Sequence, residues 1–170
     1  MTSKNFPVVI IILILIGLGG LLFLNYDSPG NLRPLWGSDL KTSFQSNGER
    51  IYYTGFDDQG QRIPTTQGPV WQYMHGGSCV DCHGVNGRGG VPVMMSYKIP
   101  SDINYETLTS EHGEAEHGEE EEHPPYTDET IKISIRDGIN PGGKPLDPTM
   151  PRWQMSDSDL DDLLEYLKTL

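Results

Sequence analysis

The chain has 170 residues, of which 35% are hydrophobic, and its 24 acidic against 12 basic side chains give a formal net charge of −12. This length corresponds to one domain with flanking segments. The acidic balance argues against nucleic acid as a partner, because neutralising phosphates requires a basic surface, and it favours a basic protein partner.

The first predicted element is a membrane anchor within residues 1–25. Residues 6–24 carry no charge, and a helix of this length, at about 1.5 Å per residue, would reach roughly 28 Å, close to the hydrocarbon thickness of a bilayer. A cleaved export signal is the alternative, but it would end in small residues, whereas this stretch ends Leu21-Leu22-Phe23-Leu24. Lys4 precedes the stretch, which favours a cytoplasmic N-terminus and an exported body.

Residues 26–47 are predicted to form an extended linker, because proline, glycine, serine and asparagine interrupt every periodic pattern there. Residues 54–77 then contain turn signals and two large aromatic side chains.

The stretch Cys79-Val80-Asp81-Cys82-His83 matches C-x-x-C-H, the signature of covalent haem attachment. Two thiols on one helical turn can add to two vinyl groups of one porphyrin edge, and the adjacent imidazole then lies beneath the iron. A C-x-x-C pair also occurs in thioredoxin-like disulfides and in zinc sites. Neither is favoured, since no βαβ pattern surrounds the motif and the chain has no other cysteine. We predict one covalent haem c.

Residues 109–125 contain seven glutamates and three histidines, a composition that predicts a solvated surface loop. Two functions are open for this His/Glu loop. His112, His117 and His123 would bind a divalent metal together with the glutamates, or the negative charge would attract a basic redox partner.

Two further helices are predicted after the His/Glu loop. Thr127 can cap a helix whose first turn carries Asp128 and Glu129 and which ends at Gly138. Ser156 can cap the last helix. The leucines of that helix form one apolar stripe, which consists of Leu160, Leu163, Leu164, Leu167 and Leu170.

Over about residues 48–170 the chain resembles class I cytochromes c, on the strength of the C-x-x-C-H at 79–83 and of Met150-Pro151-Arg152-Trp153. The resemblance implies an all-α domain of three to five short helices around covalent haem c. Compared with the usual sequence pattern of such domains, two segments are insertions, at about residues 54–77 and 104–125.

The resemblance also implies the roles of five site residues. Cys79 and Cys82 would form the haem thioethers, and His83 and Met150 would be the axial ligands of the iron. The carbonyl of Pro92 would accept a hydrogen bond from Nδ1–H of His83 and so fix the ring. Met155 is expected to pack as the last helix begins. The alternative sixth ligands are the histidines His75, His112, His117 and His123.

The function that the resemblance implies is that of an electron carrier, not an enzyme. It would be a membrane-anchored monohaem cytochrome of a respiratory chain, as a subunit or close partner of a membrane redox complex. Haem attachment of this type takes place outside the cytoplasm in bacteria, which agrees with a single-pass protein of the inner membrane whose haem domain lies on the periplasmic side. Two alternatives stay open: a haem sensor or enzyme with an open sixth coordination position, and a metal-binding module that uses the His/Glu loop.

Overall fold

The computed structural model describes residues 41–93, 97–110 and 123–170. The predicted anchor and residues 26–40 of the predicted linker lie outside these ranges, as do His112 and His117 of the His/Glu loop. Within the described ranges, no helix combines the length and the apolar character that crossing a bilayer requires.

The described part of the chain is mostly helical. In chain order its elements are α1 (Asn47–Thr54), β1 (Thr65–Thr66), α2 (Val70–His75), α3 (Val80–His83), α4 (Tyr105–Thr109), α5 (Asp128–Arg136), β2 (Arg152–Trp153) and α6 (Asp157–Leu167). Within these ranges, two parts of the prediction of an all-α domain with three to five short helices need correction. There are six helices, since α2 and α4 form in segments that were predicted as insertions, and there is one short strand pair.

The strand pair joins the segment 54–77 to the loop before the last helix. β1 and β2 are antiparallel, with Thr65 opposite Trp153 and Thr66 opposite Arg152. The backbone N–H of Gln154 also donates to the carbonyl of Pro64 at 2.8 Å. The segment 54–77, which was predicted as an insertion, therefore fixes the position of the loop that carries Met150 and Pro151, called the Met-Pro loop below.

Side-chain caps set where the longer helices begin. Ser46 accepts a hydrogen bond from the Glu49 N–H at the start of α1. Thr127 and Thr130 form a reciprocal capping box at the start of α5, and Ser156 accepts from the Asp159 N–H at the start of α6. The predicted caps Thr127 and Ser156 are confirmed.

The core lies between α1, α5 and α6. Its side chains are apolar, and none is more than 8% exposed: Ile51, Tyr52, Ile63, Val80, Ile131, Ile135, Trp153, Met155, Leu160, Leu163, Leu164 and Leu167. Tyr52 of α1 also packs on Tyr166 of α6, with ring centroids 5.2 Å apart. The last residues of the predicted linker belong to this domain as well, because the N–H of Gln45 donates to Glu49 at 2.6 Å.

Gly48 lets α1 and α6 approach each other closely. A Cβ at this position would lie 1.8 Å from the carbonyl oxygen of Asp162, which is backbone and cannot move aside alone. Gly48→Ala should therefore force the two helices apart. We expect it to lower the free energy of unfolding of the holoprotein by about 2 kcal/mol, because a clash with backbone places the overpacking cost near the upper end of its usual range of about 1–3 kcal/mol. The gain in helix propensity offsets only roughly 1 kcal/mol of that cost.

Gly142→Ala is the matched control for this prediction. Gly142 is exposed, and a Cβ there would lie 3.1 Å from the Cβ of His123, so the neighbour has to move by only a few tenths of an ångström. Denaturant unfolding of both variants measures the difference. Equal stability of the two variants would contradict a tight contact between α1 and α6.

Candidate haem site

A cavity of about 960 Å³ lies beside α3. Cys79, Cys82 and His83 line it, and so does Met150 from the loop before β2. Four apolar side chains of α5 and α6 form part of the remaining wall: Ile131, Ile135, Leu163 and Leu167. The volume lies within the range of about 300–1,000 Å³ that is usual for small-molecule and cofactor sites. The fold thus brings four of the five predicted site residues to one cavity.

Hydrogen bonds fix the short helix α3 at both ends. The backbone N–H and the hydroxyl of Ser78 each donate to the carboxylate of Asp81 at 2.8 Å. At the other end, the hydroxyl of the fully buried Tyr52 donates to the carbonyl of Gly84 at 2.6 Å. The positions of both thiols and of the imidazole therefore depend on residues on either side of the motif.

The two thiols are free. Burial raises the pKa of Cys79 to about 12, with the nearby Cys82 and Asp81 adding to the effect. Burial likewise raises the pKa of Cys82 to about 11, with a smaller contribution from Asp81. Both groups are thus protonated at neutral pH, unlike the reactive thiolates of disulfide exchange.

In the three described ranges, no three His, Cys, Asp or Glu side chains form a group that could hold a metal ion.

His83 is oriented for ligation through one ring nitrogen. The residue is 8% exposed, and its Nδ1 lies 2.9 Å from the carbonyl oxygen of Ser101. Burial lowers the pKa of the imidazole, against the opposing effect of the bond to Ser101. When Nδ1–H of a neutral imidazole donates to a carbonyl, Nε2 keeps its lone pair free. This is the form of histidine that binds metals.

The partner of His83 differs from the prediction. Pro92 was expected to offer its carbonyl, but Pro92 is exposed and Ser101 accepts the bond instead. The reason is an excursion of the loop after the motif, which the bonds from Gly90 N–H to the Pro100 carbonyl and from Val93 N–H to the Lys98 carbonyl close at 3.0 Å each. The chain comes back to His83 only after this excursion. Pro92 precedes that point in the chain, so its carbonyl does not reach the ring, and Ser101 accepts the bond.

The two methionines of the Met-Pro loop have different surroundings. Met150 is half-buried and lines the cavity, whereas Met155 is 6% exposed and belongs to the hydrophobic core. Of the histidines that were alternative ligands, His75 is exposed at the end of α2, and His123 packs against Tyr126 with ring centroids 5.1 Å apart. Among the described side chains, Met150 is therefore the best placed to complete the site.

Sequence reasoning missed Arg152, which also lines the cavity. The residue is only 5% exposed, and its guanidinium donates to the backbone carbonyls of Leu146, Asp147 and Met150. Burial lowers its pKa, although the charge of Asp147 acts in the opposite direction. In the sequence this residue is only an isolated charge between Met-Pro and tryptophan, which gives no sign of burial.

Residues 58–170 match the family model described as Cytochrome c. The chain belongs to the cytochrome c family. Comparison with curated proteins gives no match, and comparison with solved structures gives none either. As a cytochrome c it binds covalent haem c, and its two cysteines account for one haem. The residues fit this group: two free thiols, an imidazole with one nitrogen already engaged, and a largely apolar wall border one cavity.

Proposed function

We propose that this cytochrome c is a membrane-anchored carrier of single electrons in a respiratory chain, as a subunit or close partner of a membrane redox complex. The observation that supports it most is the meeting of Cys79, Cys82, His83 and Met150 at one cavity. Bound haem c supplies an iron that alternates between the ferrous and the ferric state. His83 and Met150 would hold the iron, and this would leave no coordination position for a substrate.

The protein's own residues serve this task by holding the ligands and excluding water. The bond from Nδ1–H of His83 to Ser101 fixes the imidazole and strengthens its donation to a metal. The apolar side chains of α5 and α6 limit the contact of water with their side of the cavity, and a thioether ligand would favour the ferrous state relative to a second nitrogen ligand. Both effects suit reversible one-electron exchange.

The proposed location and partners rest on the sequence. Residues 6–24 have the length and the apolar composition of a membrane span, which would hold the haem domain at the periplasmic side of a bacterial inner membrane. The formal net charge of −12 would raise the rate of encounter with a basic redox protein at low salt.

The test is purification of the full chain from membranes of a host with working cytochrome-maturation machinery. We expect the protein to stay with the membrane after an alkaline carbonate wash and to co-purify in mild detergent with subunits of a redox complex. The ferric protein should be low-spin, with the near-infrared band of methionine-to-iron ligation, and a potentiometric titration should follow a one-electron curve.

Each part of the proposal can fail separately. Release by the carbonate wash would contradict the anchor, and isolation without redox subunits would contradict a stable complex. A high-spin ferric form that binds imidazole or cyanide rapidly would replace the carrier with a haem sensor or enzyme that has an open sixth position.

A further inference from the structure

We propose that Arg152 is a positioning residue that holds the loop of Met150 against the cavity and thereby stabilises the bond between the thioether and the iron. The inference rests on the proposed function, in which Met150 is an axial ligand. It concerns a residue that neither attaches the haem nor ligates its iron.

The contacts of the guanidinium define this role. Its Nη2 donates to the carbonyl of Leu146 at 2.8 Å, and its Nη1 donates to the carbonyls of Met150 and, at 3.4 Å, of Asp147. Two of these carbonyls belong to the turn of residues 147–150, which the bond from Met150 N–H to the Asp147 carbonyl closes at 3.0 Å, and the third, of Leu146, directly precedes it. The turn that ends at Met150 is therefore wrapped around a single cationic group.

The guanidinium also packs against the main chain at Gly138. A Cβ at Gly138 would lie 1.7 Å from Nε of Arg152, so the side chain lies directly against bare main chain at the end of α5. The carbonyl of Gly138 in turn accepts from the N–H of Leu146 at 2.8 Å. On the other side, the backbone of Arg152 pairs with Thr66 in the strand pair. The arginine is thus held by two elements while it holds the turn.

Arginine suits this position better than lysine. A planar guanidinium with five donors can serve three carbonyls at once, whereas an ammonium is a compact point charge. Hydrogen bonds to charged groups are stronger than those between neutral groups. Loss of these bonds should free the turn and allow Met150 to leave the iron more often.

The test uses the ferric holoprotein and four variants: Arg152→Met, Arg152→Lys, Met150→Ala and Arg136→Met. Arg136 lies on α5 and pairs with the exposed Asp157 at 2.7 Å. Its replacement by methionine therefore controls for the loss of a positive charge and of a guanidinium group elsewhere in the domain. Two measurements report on the thioether: the near-infrared methionine-to-iron band and the rate at which imidazole replaces the ligand. Thermal unfolding of each holoprotein measures the general loss of stability.

We expect Arg152→Met to raise the rate of imidazole binding by at least about tenfold and to weaken the near-infrared band, because charge-assisted bonds to the turn are lost. Arg152→Lys should raise the rate by at least about threefold, since part of the bonding is kept. Arg136→Met should stay within about twofold of the parent protein, because exposed ion pairs contribute little. If Arg152→Met does not mature, the lysine variant alone decides.

Two results would overturn the inference in distinguishable ways. If the parent protein shows the band and Met150→Ala abolishes it, but both Arg152 variants bind imidazole within twofold of the parent rate, then Arg152 only adds stability. If Met150→Ala keeps the band, then Met150 is not the ligand, and the proposed ligation fails together with the role of Arg152.

Discussion

Replacing Cys79 and Cys82 together by serine should yield a chain that retains no haem after denaturation. Serine hydroxyls do not form thioethers, and His83 alone would hold the group only through its iron. The cavity of about 960 Å³ would then lack its filling. The apolar part of its wall would border water instead of the porphyrin, and a net stability of about 5–15 kcal/mol is small enough for such a loss to unfold the domain. We therefore expect the variant to be unfolded as well as colourless.

Intact-mass measurement and haem staining of a denaturing gel check this expectation. Each single variant, Cys79→Ser or Cys82→Ser, is the control, because one thioether should keep the haem on the chain while the ferrous absorption bands move to longer wavelength. Retention of the haem mass by the double variant after denaturation would contradict attachment through these two thiols.

The features that depend on neighbouring residues were predictable from the sequence. The haem motif lies within five consecutive residues, and the caps Thr127 and Ser156 act on backbone groups three residues away. The leucine stripe of α6 follows the helical repeat, and four of its five members are at most 4% exposed. In each case the physical interaction is short-range, so the pattern contains the information needed.

The features that depend on distant residues were not predictable in the same way. Acceptance of the Nδ1–H bond by Ser101 follows from an excursion whose closing bonds join residues 90 to 100 and 93 to 98. The strand pair joins residues more than eighty positions apart in the sequence. No local pattern distinguishes a loop that returns early from one that returns ten residues later.

Arg152 shows a third kind of limit. An isolated charge in the sequence reads as a surface residue, and charged side chains are rarely buried unless they are paired. Here the hydrogen-bond partners are the backbone carbonyls of three preceding residues, Leu146, Asp147 and Met150. Backbone partners leave no trace in a sequence, so only the fold reveals why the charge lies at the wall of the cavity.

Met150→Ala should keep the haem attached but change its chemistry. Loss of the thioether removes the soft ligand that favours ferrous iron, so we expect the midpoint potential to fall by on the order of 100 mV. The ferric protein should become high-spin or take up water, and imidazole should bind without waiting for a ligand to leave. Redox titration and the ferric spectrum measure both effects.

Met155→Ala is the comparison that gives this prediction its force. Met155 is 6% exposed in the core, so its truncation should lower the free energy of unfolding by about 2–5 kcal/mol. The potential and the near-infrared band should stay close to those of the parent protein. The two methionines lie five residues apart, and the fold assigns one to the cavity and the other to the core. If Met155→Ala lost the band while Met150→Ala kept it, the thioether on the iron would belong to Met155, and the loop would have to present its other methionine to the cavity.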